Sequence, residues 1–374
     1  MAPLAFGRRP GQGYPQRMPV LHSRLGDWDL DHVHEWSQRE LVIRAPRLPL
    51  IGPTTKVATI GSCFASELGA MMGDVGIVGG MHPGGLFYST ATIRQELERI
   101  AGGWAERAGE PSWRVGDGYV DPFRSYDDIH PDEATLDASR RAADDAADAL
   151  FGDAKVVVAT LGLIETWRNR TNGNTYRQIP HPAVFREIAP EFHRLTVGEM
   201  LDDLERIRAV VRERLDAELI VTTSPVPLHS TFTDHDVRVA NVESKSRIRA
   251  AVSEFVDRHP DVHYFHSYEM VVTAERQSDY YRDDGRHVHR HAVRYIVSEF
   301  LRLFGAPEVQ LTDVDRSWLT PITKTEPTPT REPRLKPAAR PRTATASAPT
   351  PMTAGRIVRG LRRRARAILS RPAR

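Results

Sequence analysis

Short apolar runs and amphipathic stretches alternate along most of this chain. Residues 56–61, KVATIG, form a β-branched run closed by glycine and predict a buried strand. Residues 155–162, KVVVATLG, are the strongest strand in the sequence, and 219–226, LIVTTSPV, and 262–271, VHYFHSYEMV, predict two more. Between them the apolar period lengthens to that of a helix. FASELGAMMGDVG (64–76) closes on Gly76, and STATIRQELERIAGG (89–103) opens on a capping Ser89 and stops at Gly102. The remaining helices are expected over 196–218, 237–259 and 291–305. Asn172–Gly173 lies between β-formers and predicts a hairpin turn. Residues 103–137, rich in Trp, Gly, Pro and Asp, read as an inserted loop region.

Strands that alternate with helices of ten or more residues predict a parallel sheet covered by helices. Such sheets put their reactive groups at the carboxyl ends of the strands. Four stretches fall there: Gly61–Ser62–Cys63, Gly162 to Glu165, Ser224–Pro225, and the loop 282–291. One candidate active site follows from that grouping.

The ends of the chain have a different character. Residues 1–52 show no period and read as an irregular N-terminal extension, ahead of a folded domain over 53–316. Residues 317–354 form a Pro/Thr/Ala/Arg linker that cannot build a core. Residues 355–374 place Ile357, Leu361, Ala365 and Ile368 on one helical face among arginines, a basic amphipathic pattern. That tail suits an anionic membrane surface or an acidic partner, and equally a solvated, solubilising end. Truncation after Pro321 is expected to leave the domain folded.

Charge sharpens the division. Of the 51 basic and 49 acidic residues, 14 basic and 2 acidic ones follow position 316, leaving 37 against 47 in the remainder. An acidic body disfavours nucleic-acid binding there. The single cysteine, Cys63, permits no internal disulfide, and no apolar run approaches the ~20 residues of a membrane span. The expectation is a cytoplasmic protein, with the tail offering attachment to the inner face of the membrane.

Ser62 has two readings. At a strand-to-helix junction its hydroxyl is placed to act as a nucleophile, with helix N-terminal N–H groups available for an oxyanion. The same position is also that of an ordinary N-cap. The partners a nucleophile needs occur near the other end: Asp284 lies three residues before His287, a spacing that lets the carboxylate meet one imidazole nitrogen. The alternative for His287, with His289 and His291, is a metal site, disfavoured because a helix would scatter them. No metal or other cofactor is expected. Cys63, about 100° around the helix from Ser62, is expected to pack rather than react, and Lys245 to be a surface or ion-paired helix residue.

Several stretches together resemble the GSCFA domain family, a branch related to the SGNH/GDSL hydrolases. They are GSCFA itself (61–65), HPGGLFYSTATI (82–93), VVVATLGLIETW (156–167), VTTSPVPL (221–228), ANVESKSRIRAAV (240–252), YFHSYEMV (264–271) and the Asp284-x-x-His287 stretch. The resemblance implies a three-layer α/β/α sandwich with a central parallel sheet, of flavodoxin-like or SGNH-hydrolase type. It implies Ser62 as nucleophile, His287 as base and Asp284 as its orienting acid, with the Ser62 and Gly85 N–H groups lining an oxyanion hole. Glu165 and Ser89 are then expected to meet substrate. The function implied is a serine-dependent ester hydrolase or acyltransferase, acting on a small-molecule ester or on acyl esters of a glycan or its precursor. Ile164 stands where the wider superfamily has an oxyanion-binding asparagine. That departure leaves a binding module with weak or no turnover as the alternative.

Overall fold

The structure, a computed structural model, describes residues 47–102, 112–124, 128–274, 277–311, 313–314 and 317. The chain divides into two units, Met1–Ile322 and Thr323–Arg374, and every described residue belongs to the first. The linker, the basic tail and most of the N-terminal extension lie outside the described residues.

In chain order the strands are β1 (Val57–Gly61), β2 (Gly79–Met81), β3 (Trp113–Val115), β4 (Gly118–Val120), β5 (Val156–Leu161), β6 (Glu165–Arg168), β7 (Thr175–Tyr176), β8 (Glu191–Arg194), β9 (Glu218–Thr223) and β10 (Val262–Phe265). The helices are α1 (Cys63–Asp74), α2 (Thr90–Ile100), α3 (Glu133–Gly152), α4 (Pro182–Ile188), α5 (Val197–Ala209), α6 (Val237–Arg258), α7 (Ser267–Val272) and α8 (Arg290–Phe304). Five strands form one parallel sheet in the order β2-β1-β5-β9-β10. Counting only its own members in chain order, that sheet reads 2-1-3-4-5, the flavodoxin-like arrangement.

The side-chain alternation of the strands builds two cores. Ala58, Ile60, Val157, Ala159, Leu219 and Val221 face one way, against Ile93 and Leu97 of α2, Leu204 and Ile207 of α5, and Ile248 and Phe255 of α6. Val57, Val156, Val158 and Ile220 face the other, against Phe64 and Leu68 of α1 and Ile296 and Phe300 of α8. Strands covered on both faces need apolar residues at every position, which is why β1, β5 and β9 read as continuous runs. The result is the expected three-layer α/β/α sandwich.

Capping boxes open two helices, the one at Ser89 as the sequence predicts. Ser89 and Thr92 form a reciprocal capping box at α2, and Thr196 with Glu199 does the same at α5. Asn172–Gly173 turns β6 into β7, with Gly173 at φ +74. Three expectations change. The stretch 196–218 leaves α5 through a π-helical turn, Val210–Arg214. VHYFHSYEMV is strand only to Phe265 and then becomes α7. The supposed loop region contains the hairpin β3–β4 and runs into the 20-residue helix α3. With β7 and α4, that hairpin closes a satellite core around Trp113, Phe123, Tyr176 and Val184. Among the described residues no helix is long and apolar enough to cross a membrane.

Candidate active site

The crevice in an open parallel sheet of this order lies where the chain reverses direction of winding, between its first and third strands. Here those strands are β1 and β5, paired so that Gly61 lies opposite Thr160. A cavity of about 190 Å³ opens at that point. Ser62 and Cys63 line it from β1, and Gly162 and Glu165 from the end of β5. Ser224 enters after β9, Tyr88 and Ser89 before α2, and Arg286 from the loop before α8. The four stretches at strand ends thus converge as the alternation of elements predicts.

Gly61 is what lets the junction turn so sharply. Its φ is +139, and a β-carbon there would fall on the Thr160 carbonyl oxygen. Ser62 follows, 3% exposed, and three bonds to Thr160 hold it. Its N–H donates to the Thr160 carbonyl at 3.1 Å and to Thr160 Oγ1 at 2.9 Å, and its hydroxyl pairs with Thr160 Oγ1 at 3.1 Å. The same hydroxyl accepts the Phe64 N–H at 3.3 Å, so Ser62 is the N-cap of α1.

Cys63 occupies the first helical position and is only partly buried. Its Sγ sits 4.0 Å from Tyr88 Oη. Its N–H has no partner among the described residues, as expected of the first turn of a helix. The expectation that Cys63 packs beneath an accessible Ser62 is therefore reversed: the serine is the buried member of the pair. Burial, with Cys63 adding to it, pushes the Tyr88 phenol well above its ordinary range, so Tyr88 stays protonated, and either group of the pair can donate.

Beneath this junction lies a residue whose burial the sequence concealed. Lys245 of α6, expected at the surface or ion-paired, is 1% exposed. Its Nζ donates to the Gly162 carbonyl at 2.7 Å, and no carboxylate pairs with it. Burial lowers its pKa from 10.5 to about 7. The only signal for this in the sequence was a lysine among the small and apolar residues of one face of α6.

The Asp284–His287 pair forms. His287 Nδ1 lies 2.5 Å from Asp284 Oδ2, while the other carboxylate oxygen accepts the Arg286 and His287 N–H groups, both at 2.9 Å. The imidazole and those backbone donors hold the Asp284 carboxyl below the usual carboxylate range. His287 itself does not line the cavity and makes no hydrogen bond to Ser62 or Cys63; its neighbour Arg286 is the lining residue. His289 and His291 stack on each other with ring centroids 4.9 Å apart. Among the described residues no three His, Cys, Asp or Glu side chains come together as a metal site.

The other expected site residues take up structural bonds. Gly85, at φ +91, already donates its N–H to the His82 carbonyl at 3.1 Å, and it is not a lining residue. Its turn is braced by Arg177, which donates to the Leu86 carbonyl at 2.6 Å and the Gly84 carbonyl at 2.9 Å. Ser89 lines the cavity with its hydroxyl in the α2 capping box. Glu165 accepts the Thr231 hydroxyl at 2.5 Å and the Phe232 N–H at 2.9 Å, which fixes Phe232 at the rim beside Trp167. Ile164 is 1% exposed and belongs to the core, so no side-chain donor enters from its position. Sequence reasoning gave no role to Tyr88, Arg177 or Arg286 and put Lys245 at the surface or in an ion pair; Tyr88, Lys245 and Arg286 lie inside stretches that carry the family resemblance, but neither periodicity nor spacing singles them out.

Fold and cleft define the class: a doubly wound α/β protein with its candidate site at the switch point of a parallel sheet. The model of the GSCFA family matches residues 56–300. The chain belongs to the GSCFA family. No curated protein matches it.

Proposed function

We propose that this protein is an acyl-transfer enzyme, an ester hydrolase or acyltransferase that works through a covalent acyl-enzyme. The observation that carries the reading is the junction at the switch point. There a strand-to-helix turn presents adjacent hydroxyl and thiol groups beside an unpartnered helix N–H, in a cleft edged by the Asp284–His287 loop. In its serine form the reading takes Ser62 as nucleophile, His287 as base and Asp284 as the group that orients the imidazole. Catalytic hydrogen bonds commonly tighten only when substrate is bound, and the short loop carrying His287 adjoins the lining residue Arg286. The aromatic rim of Trp167 and Phe232 suits the apolar part of an ester. A glycan or glycan precursor as acyl carrier follows from the resemblance to SGNH hydrolases.

The test is hydrolysis of p-nitrophenyl acetate by the full chain and by His287→Ala. Loss of the general base is expected to lower kcat by roughly 100- to 10,000-fold. Turnover indifferent to His287→Ala would remove the reading. A second reading, a binding module with little turnover, is favoured by Ile164, whose side chain lies in the core where an asparagine donor would otherwise reach the oxyanion. Ligand binding without any acyl-enzyme is its expected signature.

A further inference from the structure

We propose that the atom acylated in this site is Cys63 Sγ rather than Ser62 Oγ. The inference rests on the acyl-transfer reading and names its nucleophile.

Three observations point the same way. Ser62 is 3% exposed and its hydroxyl caps α1 while paired with Thr160, whereas Cys63 is more exposed and lines the same cavity. A nucleophile's own N–H is a natural oxyanion donor, and the Ser62 N–H is already donated twice to Thr160. The Cys63 N–H has no partner among the described residues and belongs to the first turn of a 12-residue helix. Tyr88 Oη stands 4.0 Å from Sγ, and burial keeps that phenol protonated and able to donate.

The chemistry balances without any further reagent. Cys63 Sγ attacks the acyl carbonyl as His287 takes the thiol proton; an S–C bond forms and the bond from that carbon to the leaving oxygen breaks. The leaving oxygen takes a proton from the His287 imidazolium. Water or an acceptor hydroxyl then attacks the thioester carbon and gives a proton to His287. The C–S bond breaks and the sulfur takes that proton back from His287.

The test uses the full chain, acylated with p-nitrophenyl acetate, quenched in acid, weighed intact and mapped by peptide mass spectrometry. One acetyl group on Cys63 in wild type, discharged by neutral hydroxylamine as a thioester is, supports the assignment. The adduct is expected to persist in Ser62→Ala and to be lost in Cys63→Ala; circular dichroism checks that each variant is folded, and mapping on wild type needs no variant. A hydroxylamine-resistant acetyl on Ser62 overturns the inference and leaves the acyl-transfer reading standing. No adduct on either residue overturns both.

Discussion

Replacing Lys245 by methionine removes a buried charge and keeps most of the side chain's volume. Burial brings the lysine from 10.5 to about 7 in the folded protein. A displacement of that size corresponds to about 5 kcal/mol of preference for the neutral amine over the ammonium. Because the side chain is fully buried, little solvent screening reduces that figure. Against it stands the Gly162 carbonyl, which loses its 2.7 Å donor at a cost of roughly 1–3 kcal/mol. Lys245→Met is therefore expected to be more stable than wild type by about 2–4 kcal/mol at about pH 6.

The sign of the pH dependence follows from which state holds the proton. Between about pH 7 and 10.5 the unfolded chain keeps the lysine protonated while the folded chain has released it, so wild-type stability rises with pH across that window. The advantage of Lys245→Met is largest below the folded value and shrinks toward 10.5, where only the lost hydrogen bond remains. Urea titrations of both proteins at about pH 6 and about pH 9 give the comparison directly. A variant that is less stable than wild type by the same amount at both values would refute the reasoning, because the ammonium would then carry no burial penalty.

Other substitutions separate the structural roles around the cleft. Gly61→Ala sets a β-carbon on the Thr160 carbonyl in a backbone region closed to alanine, and is expected to cost roughly 3 kcal/mol or more in thermal or urea unfolding. Ser89→Ala removes one half of the α2 capping box, with an expected loss of about 1 kcal/mol and little effect on kcat; a large fall in kcat/KM with unchanged stability would restore its substrate-binding role. Glu165→Gln weakens the bonds to Thr231 and Phe232 and is expected to raise KM for an apolar ester more than it lowers kcat. Asp284→Asn leaves the loop bonded to its backbone donors but deprives His287 of its carboxylate, so turnover of p-nitrophenyl acetate is expected to fall by about 100-fold or more. Truncation after Ile322 is expected to leave the melting transition of the α/β domain in place, measured by circular dichroism.

Much of the architecture was legible because it depends on local pattern. β1, β5 and β9 announce themselves as apolar runs since both faces of the sheet are covered, and Ser89, Thr196 and Asn172–Gly173 mark boundaries by bonds to residues within a few positions. The elements that escaped are those lacking such marks. β2 is three residues long and contains two glycines, and β3 and β4 carry no sustained alternation. The helix α3 buries only Leu136, Ala147 and Phe151, so its polar surface hides its period.

The candidate site divides along the same line. The Asp284–His287 pair was legible because three residues of one turn bring the two side chains together, whatever the rest of the chain does. Which member of Ser62–Cys63 faces the cleft was not, because adjacent residues at a helix start differ only in what surrounds them. Thr160, nearly a hundred positions away, takes hold of Ser62 and leaves Cys63 in the opening. Lys245 reaches Gly162 across 83 positions and Glu165 meets Thr231 across 66. By itself the sequence determined the layers, the caps and the strand ends at which chemistry gathers, since these arise from periodicity and short-range bonds. Only the tertiary structure decided which side chains are buried, paired or open at that point, because burial is set by neighbours that the chain brings in from far away.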